Sequence, residues 1–506
     1  MSILLEVVTV SRHFGDLKTF LAATCVCLLT YLYLQRPRNL PPGPRGWPLL
    51  GNIPMVAKSA FLPATLAELS KQYGDVMTIW MGLAPAIVLS GYETIRTALV
   101  KRAEDFSSRK IPPVATMAGR DKGVLLAPYG PHWKHQRKFA LMTLRDFGFG
   151  KRSLEGKITE ETNALVQEIL SYNGQPFDLK IMMQNAVSNI ICSIVFGSRF
   201  EYGDPDFLRL IRLLNSVVEA KPSAIDRLEM IHPVFRCLRF IGPSKNGKVM
   251  RMIQTLQGFC REQIQKHRLT FDPNDIRDFV DAFLLEQQRA PEEQAREHFT
   301  DKQLQEVLMD LFVAGTETTA TTTRWALLYM MLNPEIQEKV HQEIDSVLGQ
   351  SAPSYAQRHL LPYTTATLAE VQRINSIVPL VVRGASRDTT FNGYNIPQEG
   401  RILVNLWSVH MDPQLFPEPN TFQPERFLDK SGNFVKHEAL IPFSMGHRIC
   451  LGEQLAKMEL FMLFVSLMQH FTFNLPEGAP EPSMVGKFGG VVNVPFPFEL
   501  CAVARG

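Results

Sequence analysis

The chain has 7 cysteines in 506 residues, an odd number with no C-x-x-C pair and no even spacing. That excludes a disulfide scaffold and argues against a cysteine-rich zinc module. An excess of one charge is missing too: 53 basic side chains less 50 acidic ones leave +3. An obligate nucleic-acid binder would be far more basic, so any basic surface has to be local. There is no internal repeat, no low-complexity tract and no nicotinamide or flavin fingerprint. Apolar residues at 45% and charged residues at 20% rule out wholesale disorder. A chain of this length can bury about three quarters of its unfolded surface.

Long apolar runs are scarce, and one stands out. Residues 19–34, TFLAATCVCLLTYLYL, carry no charge. A spanning helix needs about 20 mostly apolar residues, and Lys18 and Arg36 extend this run by snorkelling. Tyr31 and Tyr33 suit an interfacial belt. A cleaved signal peptide would be followed by a small-x-small site, and none follows. The run therefore reads as a membrane anchor rather than a signal peptide or a buried helix. Arg36, Arg38 and Arg45 follow at once, while Arg12 and Lys18 reduce the asymmetry. Positive-inside bias then leaves the bulk of the chain on the cytosolic side, where unpaired cysteines stay reduced. Next comes PPGPRGWPLLGN, 41–52, whose prolines stop the anchor helix and make a stiff spacer. The expected organisation is an anchor over 1–35, a proline-rich spacer over 36–52 and one large domain over 53–506.

Three- and four-residue apolar spacing predicts helices over 63–73, 92–100, 153–171, 183–196, 207–219, 249–267 and 334–348. Short β-type runs are fewer: 76–80, 87–89, 391–396 and 401–405. Pro and Gly cluster near 111–131, 411–425 and 475–497, which read as loops. The class is mainly α with a small β portion. The longest helical candidate, 301–332, would run about 48 Å. Its middle, FVAGTETTATTT, sets Gly315, a string of Thr and the acid Glu317 where helix propensity should be strongest. Such conflicts between propensity and position often mark function.

Residues 443–452 read FSMGHRICLG. Cys450 stands between an irregular segment and an amphipathic helix, LGEQLAKMELFMLFVSLM, so its sulfur lies at a helix N-terminus that stabilises a thiolate. Gly446 permits a sharp turn, Gly452 a close flat neighbour, and Arg448 offers a cationic fork for a carboxylate. These features suit an axial thiolate to haem iron. The segment fits F-x-x-G-x-R-x-C-x-G, from Phe443 through Gly446, Arg448 and Cys450 to Gly452. It resembles the haem-binding loop of cytochromes P-450.

The resemblance runs on along the chain. Glu370 and Arg373 form E-x-x-R on one helix face, and PERF at 424–427 supplies Arg426. The resemblance implies a buried charged triad behind the haem, whose disruption would strand a charge. Trp133 and Arg137 form W-x-x-x-R, and the resemblance aims both at haem propionates. Arg109 and Arg383 stand at two further positions where relatives put a propionate partner. Ala314 to Thr319, AGTETT, resembles the family's distal-helix motif. Splitting the O–O bond of dioxygen needs two protons, which a hydroxyl and a nearby carboxylate can relay or supply. Thr318 fills the hydroxyl position and Glu317 the acid position, with Gly315 permitting a local opening of the helix.

The resemblance thus implies the cytochrome P-450 fold, haem b, and a membrane-bound monooxygenase acting on lipophilic small molecules with dioxygen as co-substrate. Electrons come from NADPH through a separate flavoprotein, NADPH–cytochrome P-450 reductase, with cytochrome b5 as a second donor in some relatives. Segments such as NAVSNIIC, RFEYGDPDF and NLWSVHMDP look like the vertebrate family-two branch that oxidises drugs, steroids and fatty acids at the endoplasmic reticulum. Lys134, His135, Lys138, Arg145, Lys151 and Arg152 cluster around the expected haem-facing helix and would either steer an acidic flavoprotein or form a solvated basic face, the first being the favoured reading. Stretches 111–126, 207–219, 310–314, 377–382 and 487–491 should face the substrate. Asp310, one turn before Ala314, either faces the substrate cavity or ties down the 111–126 loop, the second role being the favoured one. Amine-selective relatives carry adjacent acids near Ala220 and Lys221, which are absent here. Two rivals are a haem-thiolate isomerase or dehydratase, which would not need Thr318 with Glu317, and a haem sensor or hydrophobic-ligand carrier, which would leave Cys450 and Arg137 idle.

Overall fold

The computed structural model describes residues 37–505 except 112–114, 117, 148–151, 219–244, 292–296, 399 and 490, together with Thr19, Ala23 and Thr24. The expected anchor over 1–35 lies essentially outside the described residues. Among the described residues, no helix is long and apolar enough to cross a membrane.

Helices start where sequence and backbone chemistry favour them. Proline at the first turn, where a missing N–H costs nothing, opens α1 (Pro131–Asp146), α8 (Pro334–Val347) and α9 (Pro362–Ile374). Between them in sequence lie α2 (Arg152–Leu170), α3 (Lys180–Val195), α4 (Pro205–Val218), α5 (Lys245–Thr270), α6 (Phe279–Arg289) and α7 (Asp301–Leu332). The last long helix is α10 (Glu453–His470). Thr300 caps α7 by accepting the Gln303 N–H at 3.1 Å, and Asp278 caps α6 by accepting the Asp281 N–H at 3.0 Å.

The largest core joins α2 through α10 around α7. Helices α3 and α7 cross closely: a Cβ on Gly315 would stand 2.6 Å from Ile191 Cδ1. Gly315 therefore lets the two helices touch, and α7 runs unbroken through it. That corrects the expectation of a local helix opening at Gly315. A second correction concerns α10. Leu455 and every residue from Met458 to Met468 are buried, so the helix is enclosed on all sides rather than amphipathic.

The β portion is a four-stranded sheet in the order β1 (Val76–Met81), β2 (Ala84–Leu89), β6 (Arg401–Asn405), β3 (Leu380–Gly384). The β2–β6 pair is parallel and the other two are antiparallel. The predicted strand over 391–396 is instead a hairpin, with β4 (Thr389–Phe391) and β5 (Tyr394–Ile396) joined through Asn392 and Gly393, both at positive φ. The proline segment is bonded onto the sheet: Thr78 N–H donates to Pro42 O at 2.8 Å, and Asn52 Oδ1 accepts from Trp80 N–H at 2.7 Å. The sheet matters for the site because β3 carries Arg383 inward.

Candidate haem-thiolate site

The loop ahead of α10 holds Cys450 by backbone bonds. Cys450 N–H donates to Phe443 O at 3.0 Å, Ile449 N–H to Gly446 O at 3.0 Å, and Ser444 N–H to Ile441 O at 2.9 Å. Gly446 sits at φ +78°, and a Cβ there would lie 1.9 Å from Leu99 O. Glycine is therefore required both for the backbone conformation and for the close approach. Gly452 precedes α10 at its N-cap and faces open space. Cys450 has accessible surface although it lies deep in the protein. Burial pushes its thiol pKa up, against the pull of the Gly452 backbone N–H and the Arg137 guanidinium. A free thiol is thus favoured without a metal, and a coordinated cation would deprotonate it.

Four guanidiniums converge beside this loop. Arg137 Nη2 donates to Ile449 O at 2.6 Å. Arg448 donates to Ser107 O at 2.8 Å, Val124 O at 3.3 Å and Ala127 O at 2.6 Å. Arg383 Nη2 reaches Arg448 O at 3.1 Å, and Arg109 donates to Val382 O. Burial depresses each pKa: Arg109 to about 10 and Arg448 to about 9. Arg383 falls well below its ordinary range because it is buried and because Arg109, Arg448 and Arg137 repel it. Arg109 Nε and Arg383 Nε and Nη1 have no hydrogen-bond partner. Like charges packed this way, with buried N–H groups unsatisfied, call for an anion of more than one carboxylate. The propionates of haem b fit that demand, and the Cys450 sulfur fits its iron. Trp133 differs from expectation. Its Nε1–H is spent on Val124 O at 3.0 Å, and its ring lies under Arg448 at 4.2 Å and Arg137 at 5.6 Å. Trp133 orders two of the guanidiniums and has no free donor of its own.

Opposite, α7 bares one small patch. Ala314 is exposed, and Gly315 and Thr318 are half-buried, between turns that are otherwise almost wholly buried. Thr318 Oγ1 donates to Ala314 O at 2.9 Å, a bond within its own helix. Glu317 is turned toward α3: it accepts from Gln184 Nε2 and from Thr321 Oγ1 at 2.9 Å. Burial raises its pKa, with both of those bonds opposing. No hydrogen bond joins the Glu317 carboxylate to the Thr318 hydroxyl among the described residues, so the two groups stand on one helix but face different neighbours.

Behind the cysteine loop, Glu370 accepts from Arg373 Nε and Nη2, both at 2.7 Å, and from Arg426 Nε at 3.0 Å. Glu370 and Arg373 are fully buried. One carboxylate between two guanidiniums fastens α9 to the segment around 424–427. Asp310 ties down the loop over 111–126, as its sequence position suggested. It binds Arg120 and accepts the Val124 and Leu125 N–H groups, both at 2.8 Å. Arg120 also meets Glu306 at 2.9 Å. Sequence reasoning missed Arg120 and Glu306, because a lone Arg in a Gly-rich loop carries no pattern. It also missed Glu459, which lies on α10 and accepts from Thr319 Oγ1 at 3.1 Å. Burial pushes its pKa up to about 8. An acid inside the apolar run MELFMLFVSLM was the available signal.

On the outer face of α1, Lys134 pairs with Glu104 at 3.3 Å and His135 stacks on His298 at 4.5 Å. Lys138 and Arg145 are exposed, while Lys151 and the Arg152 side chain lie outside the described residues, as do residues 219–244 with Ala220 and Lys221.

A cysteine at a helix start, four convergent guanidiniums and a distal helix define a haem-thiolate class of protein. The cytochrome P450 family model matches residues 41–502. Cytochrome P450 2U1 of Homo sapiens is 40% identical over 506 residues, 95% of this chain and 92% of that protein. Cytochrome P450 2D6 of Homo sapiens is 42% identical over 487 residues, 94% of this chain and 97% of that protein. Cytochrome P450 2D4 of Rattus norvegicus is 42% identical over 489 residues, 94% of this chain and 96% of that protein. The chain belongs to the cytochrome P450 family, in the family-two branch of these mammalian relatives. It is a monooxygenase for lipophilic substrates, using haem b, dioxygen and NADPH-derived electrons delivered by a reductase.

Proposed function

We propose that Cys450 would hold the haem iron through its sulfur and that Arg109, Arg137, Arg383 and Arg448 would hold the propionates. Bound haem supplies dioxygen activation and oxygen-atom insertion. The chain's own residues do the rest. Phe443, Gly446 and Gly452 shape the loop so that the sulfur faces the haem. Trp133 orders the Arg137 and Arg448 guanidiniums. Glu370, Arg373 and Arg426 hold the underlying scaffold. On the other side, Ala314 keeps side-chain bulk away, Gly315 lets α7 seat closely against α3, and Thr318 presents the hydroxyl that passes protons once its bond to Ala314 O gives way. Glu317, held protonatable by burial, supplies them through a rotation away from Gln184. The observation that carries this reading is the set of buried, mutually repelling guanidiniums with unpartnered N–H groups beside an accessible cysteine sulfur.

In this reading the anchor over 1–35 and the spacer over 36–52 attach a catalytic domain, 53–506, to the cytosolic face of the endoplasmic reticulum membrane. The electron donor is NADPH–cytochrome P-450 reductase, with cytochrome b5 as an auxiliary donor. Exposed Lys138 and Arg145, with a depression of about 450 Å³ lined by Leu141, Met142 and Leu451, suit an acidic flavoprotein beside the cysteine loop. The substrates are lipophilic small molecules such as xenobiotics, fatty acids or steroids. Asp310 is already bonded through both oxygens, so it offers no free carboxylate to a cationic amine.

A reduced, carbon-monoxide difference spectrum tests the ligand. The thiolate band should be present in the parent and absent in Cys450→Ala; its retention in Cys450→Ala overturns the assignment. Thr318→Ala should keep the spectrum and divert NADPH-derived electrons to peroxide. Unchanged coupling would remove Thr318 from proton delivery.

A further inference from the structure

Three histidines meet at the start of α1, away from the cysteine loop. His132 lies in the first turn of α1, His135 one turn on, and His298 in the segment ahead of α7. The Nδ1 atoms of His132 and His298 stand 3.2 Å apart, with ring centroids 5.3 Å apart. The other nitrogen of each ring faces an oxygen. His132 Nε2 is 2.9 Å from Gln303 Oε1, and His298 Nε2 is 3.6 Å from Glu297 Oε2. An amide oxygen accepts only, so Gln303 draws the His132 ring proton to Nε2, while Glu297 at 3.6 Å lies beyond hydrogen-bond reach of His298. The His132 Nδ1 lone pair then faces His298 Nδ1, and either the His298 Nδ1–H or a cation held between the two nitrogens satisfies it.

An additional proton, which would charge the cluster, is opposed by the surroundings. Burial, Lys122 and His298 hold the His132 pKa below its ordinary value, and burial, His298 and His132 do the same for His135. Neutral imidazole is the form that binds a metal. The spacing suits one. With metal–nitrogen bonds of about 2.0–2.1 Å, two ligands lie about 2.9 Å apart at a right angle and about 3.4 Å apart at a tetrahedral angle. The observed 3.2 Å falls between. The Gln303 oxygen on the far nitrogen of His132 is the outer-shell arrangement that metal-binding imidazoles use.

The ligands are also held in place. Gln136 Nε2 donates to the His298 backbone carbonyl, and the His135 ring stacks on His298 at 4.5 Å and 15°. Phe299 meets the other side of His135 edge-on at 5.4 Å. His132 is fixed by Gln303, whose backbone N–H bonds the α7 cap Thr300 at 3.1 Å. Little side-chain freedom remains to lose on binding.

We propose that His132 and His298 form a surface site for one divalent transition-metal ion of the zinc, copper or nickel type. Water completes the coordination shell. The ion bridges the start of α1 to the approach of α7, the two helices that carry Arg137 and Thr318. Soft ligands are absent, and imidazole pairs select this metal class over magnesium or calcium.

The test uses tag-free, detergent-solubilised holoenzyme. Copper(II) is titrated with electron paramagnetic resonance readout, and zinc by competition with a chromophoric chelator. The expected result is one saturable copper signal per chain carrying hyperfine coupling from two imidazole nitrogens. In His132→Gln, and separately in His298→Gln, affinity for either ion should fall at least about tenfold. His447→Gln, at a histidine elsewhere on the surface, should bind as the parent does. The carbon-monoxide spectrum of each variant reports that the fold survives. If the double variant His132→Gln/His298→Gln binds copper as tightly as the parent, or the parent signal shows fewer than two imidazole nitrogens, the site does not exist. Should a variant fail to fold, the parent's nitrogen count decides alone.

Discussion

Glu459 offers the sharpest test of how burial governs this protein. It lies within α10, its Oε1 has no hydrogen-bond partner, and its one bond is from Thr319. Burial raises its pKa from 4.5 to about 8. An acid with a raised folded pKa binds a proton in the native state that the unfolded chain releases. Its destabilising effect is therefore absent below about pH 4.5, grows as pH rises, and levels off above about pH 8. At pH 7 the difference spans roughly 2.5 units, on the order of 3 kcal/mol. Glu459→Gln keeps the shape and the oxygen that Thr319 bonds, but removes the ionisation. The variant should lie within about 1 kcal/mol of the parent at pH 5 and be more stable at pH 7 by about 3 kcal/mol. For a chain of this size that is a rise of about 3 °C in the thermal midpoint. Loss of the Soret band on heating, measured every half unit from pH 5 to 8, gives the two curves. Curves that stay parallel across that range would refute the claim that Glu459 is neutral in the native state.

Two further outcomes follow from the site geometry. Glu370→Gln leaves Arg373 and Arg426 buried without their counter-charge, which should cost about 3–5 kcal/mol; the holoenzyme yield and the denaturant midpoint should both fall, and a midpoint within error of the parent would contradict the buried triad. Gly446→Ala places a Cβ 1.9 Å from Leu99 O at φ +78°, so the protein should accumulate without a thiolate-type spectrum, and a normal spectrum would mean the loop adopts another path.

The long helices were legible because their apolar spacing is local. The helix over 301–332 has the same bounds in sequence and structure, since a Thr cap, a periodic apolar face and Asn333 mark its ends. The cysteine loop was legible because Gly446, Arg448, Cys450 and Gly452 form a dense pattern within ten residues. The amphipathic reading of α10 failed because periodicity cannot tell a half-buried helix from one enclosed on every side. The hairpin over 389–396 was read as one strand because two short strands meet at a two-residue turn. Arg120 and Glu306 left no local trace at all.

Composition and motif alone determined which groups the chain offers: a cysteine at a helix start, a run of basic residues, and an acid and an alcohol on one long helix. Those follow from residue types at short spacing, where covalent geometry leaves little choice. Only the tertiary structure decided how each group is spent. It turned Glu317 toward Gln184, used the Trp133 donor on a carbonyl, set Glu459 in an apolar interior and brought His132 to within 3.2 Å of His298. Such outcomes depend on contacts between segments far apart in the chain, and the free energy of a polar group depends on what surrounds it rather than on which residues adjoin it in sequence.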